Sequence, residues 1–192
     1  MVAPARCSWV SADALYVQYH DEEWGVPVVS EHGLFERLVL ESMQAGLSWL
    51  TVLKKRDAMR TLFFNFDIER LANCGTEEIN QWLQDSSIIR HRGKLEALVN
   101  NARCVSALPD FADWLWQFET VHEQIHATSV SVPSVTEESN AMSKTLKQQG
   151  FRFVGPTTCY AFMQSVGMVN DHPQNCFRHQ VCNALRRTCL AR

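Results

Sequence analysis

Cys7 and His20 lie near the start of this 192-residue chain, and His172 and Cys176 near its end. His172 and Cys176 are four positions apart, so on one helical turn they would face the same side. Two thiolates and two imidazoles suit tetrahedral Zn²⁺ with no open position, which is a structural site. The spacing is not that of a zinc finger, whose ligands come as close pairs, and unrelated core cysteines and surface histidines would leave the same pattern. A real site would tie the chain ends together and close a very long loop.

Glu41 is the second residue of interest. On a helical wheel it falls beside Leu34, Leu38 and Ala45, the stripe expected to face inward. A carboxylate there is costly unless it is hydrogen-bonded or paired. The turn Gln44-Ala45-Gly46-Leu47-Ser48-Trp49 follows it. With Trp49, Tyr16 and Tyr19, a half-buried acid would make a pocket for a flat, polar or cationic ring. The alternative is an acid at the edge of the stripe that reaches solvent or an arginine. A third feature is Gly150-Phe151-Arg152-Phe153-Val154-Gly155-Pro156-Thr157-Thr158, a glycine-bounded apolar turn between two helical segments. Amides at such a turn, leading into a helix N-terminus, can hold a phosphate without reading bases. An ordinary helix–helix connection reads the same way.

Nearly every segment that must position these residues has helical signals. Ser11 is a candidate N-cap for a helix through Leu15, Val17 and Tyr19. Further helices are expected over about 32–45, over about 48–62, through Ile68 and Leu71 after Asp67, and after Thr76. Ser86 or Ser87 would open the helix carrying Ile88, Leu95, Leu98 and Val99. Pro109 and Asp110 would open one with Phe111, Trp114 and Phe118. Residues 128–136 read as a loop. A helix through Met142 and Leu146 should end at Gly150, and Pro156 suits the first turn of the next. No period-2 strand or internal repeat is evident, so the expected fold is all-α in a single domain over 1–192.

The composition is that of a globular protein, 46% hydrophobic and 20% charged. Neither a signal-peptide pattern nor a membrane-spanning run is seen, so a cytoplasmic protein with no membrane partner is expected. The seven cysteines are an odd number and read as thiols or metal ligands rather than a disulfide framework. The net charge of −3 argues mildly against a basic DNA-coating protein. Local clusters exist at Lys54-Lys55-Arg56, at Arg90-His91-Arg92 with Lys94, and at Lys144, Lys147 and Arg152.

The strings Cys7-Ser8-Trp9, Tyr19-His20-Asp21-Glu22-Glu23-Trp24-Gly25-Val26-Pro27 and Gln44 to Trp49 continue in order with Ile88 to Lys94, Gly150 to Gly155 and Val169-Asn170-Asp171-His172. Together they resemble the constitutive bacterial 3-methyladenine DNA glycosylases of the helix-hairpin-helix superfamily, from Cys7 to Cys176. The resemblance implies a monofunctional enzyme of base excision repair that flips 3-methyladenine out of double-stranded DNA and hydrolyses its N-glycosidic bond. It implies structural Zn²⁺ on Cys7, His20, His172 and Cys176, with the base-recognition and catalytic acid at Glu41. It implies pocket aromatics at Tyr16, Tyr19, Trp49 and Trp9, an inserted wedge at Leu47 and a DNA-contacting hairpin glycine at Gly155. A monomer suffices.

Pro156 departs from the resemblance, since it stands where a hydroxyl residue is expected and lacks an N–H. Related enzymes place an aspartate after the hairpin, and Asp171 is the nearest candidate, with a role beside the zinc ligand equally open. Lyase relatives use a hairpin-region lysine. The last lysine here is Lys147, ahead of the hairpin, so hydrolysis without strand cleavage is expected. A DNA-binding module without catalysis and an enzyme using zinc-activated water are the rival readings.

Overall fold

The computed structural model describes residues 4–119 and 132–191, and within them the chain is helical with no strand. Helix α1 spans Ala14–Glu22, α2 Glu31–Gln44 and α3 Trp49–Leu62. A short 3-10 turn at Phe64–Phe66 leads to α4, Ile68–Ala72, and α5, Thr76–Trp82. Then come α6, Arg92–Ser106, and α7, Phe111–Trp116. The last three are α8, Glu137–Gln148, α9, Pro156–Ser165, and α10, Arg178–Leu190.

Side-chain oxygens mark most helix starts, as polar residues ahead of apolar-periodic runs should. Ser30, Ser48, Asp67 and Thr136 each accept a first-turn amide. The first helix is capped by Asp13, two residues beyond the expected Ser11, because the Asp13 carboxylate accepts the amide of Leu15. Thr76 is the first helical residue of α5, and Gly75 holds the cap position. The sixth helix begins at Arg92, with the His91 ring accepting from Lys94, and not at Ser86 or Ser87. There the Asp85 carboxylate accepts from Ser87 N–H at 2.8 Å, a local turn that competes with helix. Part of the expected 128–136 loop, residues 128–131, lies outside the described residues, and 132–136 is non-helical.

Helix α2 is the centre of the fold and packs against α3, α6, α7 and α9. Its last turns, Leu38 to Met43, are buried on every side. Glu41 is therefore inside a fully buried helix end rather than at the edge of a stripe. Beyond it Gly46 takes φ +77°, which an L side chain would resist, and turns the chain sharply into α3. The α8–α9 connection is held from beneath. Ser143 Oγ donates to Val154 O at 2.7 Å, and Asn101 both donates to Arg152 O at 3.0 Å and accepts Arg152 N–H at 2.8 Å. These bonds offset the left-handed conformation of Phe153, φ +56°, which costs on the order of 1 kcal/mol.

Candidate functional site

Two constellations emerge. In the first, Cys7, His20, His172 and Cys176 are all buried, and their ligand atoms lie within 4.8 Å of one another. Cys7 Sγ is 3.4 Å from His172 Nδ1, and Cys176 Sγ is 3.4 Å from both His20 Nε2 and His172 Nδ1. A tetrahedral zinc with bonds of ~2.3 Å to sulfur and ~2.0 Å to nitrogen has S···N edges of about 3.5 Å. The outer ring nitrogens are committed elsewhere. His20 Nδ1 meets Asp21 Oδ1 at 2.8 Å, with Arg6 gripping that carboxylate, and His172 Nε2 meets Trp24 O at 3.1 Å. Such outer partners fix the tautomer that turns one nitrogen toward a metal. Cys7, with the His172 and His20 rings, holds Cys176 toward thiolate, and Cys176 together with burial pushes the Cys7 thiol up. A divalent cation would let both ionise. The donor set and its outer partners thus fit the zinc expected from the sequence.

One expectation about this cluster is corrected. His172 and Cys176 do not share a helical turn; they sit in a non-helical loop that includes Pro173, closed by Cys176 N–H donating to Pro173 O at 2.8 Å. The loop rests on α10, a helix the sequence did not announce. Asn170 donates to Asn183 Oδ1 at 2.6 Å, and the His179 ring reaches His172 O. Gly25, at φ +79°, lets the α1 turn approach, since a Cβ there would lie 3.1 Å from His172 Nε2.

The second constellation is a pocket of about 230 Å³, whose walls include Trp9, Tyr16, Tyr19, Trp49, Glu41 and Gln164. It has room for a flat ring system rather than an extended ligand. Tyr19 and Trp49 pack at 5.2 Å between centroids, and Trp9 and Tyr16 at 5.2 Å. Glu41 is 5% exposed, and no cation stands within ion-pair distance of it among the described residues. Burial pushes its carboxyl up to about 8, against the pull of Arg37 and the Ser165 hydroxyl. Arg37 itself pairs with Glu23, which also holds Arg56 at 2.7 and 2.9 Å. The acid therefore stands in an aromatic box with no ion-pair partner among the described residues.

The pocket opens onto a groove shared by Glu41, Gln44, Leu47, Thr157 and Thr158. Leu47, 40% exposed, stands on the Gly46 turn, and Gly155 forms the N-cap of α9. A Cβ at Gly155 would meet nothing within 4 Å, so this backbone is open to close approach. The residues singled out in the sequence are thus brought together in two places. Asp171 belongs to neither wall. It is 2% exposed and accepts from Tyr160 OH at 2.6 Å and Gln164 Nε2 at 2.7 Å, orienting Gln164 in the pocket wall. Sequence reasoning missed Gln164. The available signal was its position one helical turn from Tyr160, among the apolar residues of α9.

The fold and the site together define a helical protein whose buried acid faces a ring-sized aromatic pocket that opens beside a helix N-terminus. The sequence pattern of the methyladenine glycosylase family matches residues 9–179, and the chain belongs to that family. It is 48% identical to DNA-3-methyladenine glycosylase 1 of Escherichia coli (strain K12) over 177 residues, 89% of this chain and 95% of that protein. It is 47% identical over 179 residues to DNA-3-methyladenine glycosylase of Haemophilus influenzae, covering 89% of this chain and 96% of that one. The solved structure of 3-methyladenine DNA glycosylase I from Staphylococcus aureus, described for its recognition of 3-methyladenine, superposes with a TM-score of 0.85. The identity there is 34%, with 91% of this chain and 96% of that chain covered.

Proposed function

We infer that this protein is a DNA glycosylase that hydrolyses the N-glycosidic bond of 3-methyladenine in alkylated DNA and so begins base excision repair. The observation that carries the reading is the buried Glu41 carboxylate, with no ion-pair partner among the described residues, in a ring-sized aromatic pocket that opens beside Leu47 and the start of α9. A duplex base is out of reach until its nucleotide rotates out, at a cost of a few kcal/mol. Leu47 is the apolar wedge that fills the gap. The α8–α9 turn, with the open Gly155 backbone and the first-turn amides of Thr157 and Thr158, is a helix-hairpin-helix grip on a phosphate. Pro156 removes one donor from that grip.

The methylated base is cationic and leaves as a neutral molecule, so little acid catalysis is needed. Selective binding and the field of the site supply much of the rate. Glu41 accepts hydrogen bonds from the adenine edge and favours its positive charge, while Trp49, Tyr19, Tyr16 and Trp9 give stacking faces. An unmethylated adenine gains less from the same walls, which gives specificity by difference. Zinc on Cys7, His20, His172 and Cys176 ties the termini together and takes no part in the chemistry. The reading needs no second copy of the chain, and a monomer is the expected form. No described helix is long and apolar enough to cross a membrane.

Binding of free 3-methyladenine, followed by quenching of tryptophan fluorescence, tests the pocket. A protein that only grips DNA backbone has no reason to bind the free base, so absence of binding to folded protein rejects the reading. Replacing the wedge, Leu47→Ala, is expected to leave free-base affinity unchanged and lower excision from duplex DNA by roughly tenfold, read by single-turnover kinetics. Among the described residues, the pocket walls carry no lysine. Borohydride treatment during turnover should therefore trap no protein–DNA adduct, and a trapped adduct would contradict hydrolysis as the only chemistry.

A further inference from the structure

Lys94 is 5% exposed, an unusual position for a lysine. Its ammonium donates to Met43 O at 2.8 Å and Ala45 O at 2.6 Å. These are carbonyls at the end of α2, where a helix has no intrahelical donors left and where its dipole favours a cation. Burial pushes the ammonium down, and the two charge-assisted bonds oppose that. Of the basic residues in the 90–94 cluster, Lys94 is thus turned inward and is not a phosphate contact, whereas Arg90 and Arg92 remain exposed. The same helix holds the other candidate DNA-contacting loop. Asn100 donates to Gly150 O at 2.8 Å, and Asn101 brackets the backbone of Arg152.

We propose that Lys94 is a positioning residue for nucleotide flipping: its buried ammonium sets the Ala45–Ser48 turn that carries Leu47, and α6 thereby fixes that wedge relative to the α8–α9 hairpin. The inference rests on the glycosylase reading above. Ala45 is adjacent to Gly46, which has no side chain to anchor the start of the turn, and a Cβ there would touch nothing within 4 Å; Ser48 fastens only the far end, by accepting Thr51 N–H as the cap of α3. The Leu47 N–H bond to Gln44 O at 2.6 Å lies within the turn, and the Lys94 head ties the Ala45 end of the turn to α6. Losing it frees the wedge without altering Glu41, Trp49 or the cation cluster. Displacement of a positioning element by about 1 Å costs on the order of 100-fold in rate.

The test compares wild type, Lys94→Met, Leu47→Ala and the double variant. Lys94→Met is expected to bind free 3-methyladenine within about twofold of wild type. Its single-turnover excision from a fully paired duplex should fall roughly ten- to 100-fold, with a smaller loss where the lesion is already unpaired. In the Leu47→Ala background the same substitution should have little further effect, since both act through one turn. Equal losses in base binding and in both DNA substrates would show a general structural role and overturn the proposal. So would full additivity with Leu47→Ala, or undiminished excision. If Lys94→Met does not fold, Lys94→Gln, which keeps a polar head, takes its place with the same expectations. Wild type inactive on every methylated duplex would instead reject the glycosylase reading, a failure distinct from an active wild type and an equally active Lys94 variant.

Discussion

Glu41→Gln is expected to make the protein more stable and less active, with both effects largest at alkaline pH. The carboxyl is pushed up to about 8 in the fold, from an ordinary value of 4.5. An acid whose folded pKa is raised destabilises the native state as it ionises. Native stability therefore falls as pH rises between about 4.5 and 8, and the loss is complete above 8. At about 1.4 kcal/mol per unit this amounts to a few kcal/mol. Glutamine has no such loss. The variant should match wild type near pH 4 and melt roughly 10 °C higher near pH 9, read by calorimetry.

Function moves the other way. A neutral amide cannot favour the cationic base, and its NH₂ group opposes an incoming donor. The loss of charged hydrogen bonds predicts roughly a 10- to 100-fold drop in excision. Because the ionised acid is the active form, wild-type kcat/KM should climb with pH to a plateau above about 8, and the variant should lose that limb. A variant with unchanged activity on methylated DNA would remove Glu41 from the site. A cost in stability at a buried acid without a cationic partner is what a ligand-binding site requires, since the cationic base supplies the charge that the fold withholds.

Removal of metal is the second large effect. Cys7, His20, His172 and Cys176 join residues from the two ends of the chain. Structural zinc binds small domains with apparent free energies of ~10 kcal/mol or more, comparable to the entire stability of a domain. Purified protein should hold one zinc per chain by elemental analysis. Chelation, or Cys176→Ala, should lower the melting temperature by more than about 10 °C, and zinc should restore the chelated wild type. A chelated protein that melts as before would contradict a structural metal. Loss of activity in a chelated but fully folded protein would point instead to zinc chemistry.

Much of this was legible in the sequence, because caps and periodicity are local signals. Asp67 caps a helix where the sequence placed the cap, while Ser30, Ser48 and Thr136 cap helices whose approximate extents are legible in the sequence but whose caps are not singled out there. Pro156 stands at the first turn of α9. What the sequence hid has a common cause: tertiary contacts that reverse the usual pattern. Helix α10 buries His179, Cys182, Asn183 and Arg186, while Val181 and Leu185 face outward. An amphipathic search sees no core face there, because the inward side is polar and is spent on the loop that carries His172. The His172–Cys176 spacing looked helical, yet Pro173 and the convergence of the ligands make a turn. Lys94 read as one more surface cation, and only the buried end of α2 shows where its charge goes. Glu41, by contrast, was conspicuous because an acid among leucines demands a reason.

The most direct test of the account is base release from methylated duplex DNA by the folded, zinc-loaded protein, with the products separated by chromatography. The account predicts release of 3-methyladenine with little 7-methylguanine, strongly reduced by Glu41→Gln. No release of 3-methyladenine by folded protein would contradict it.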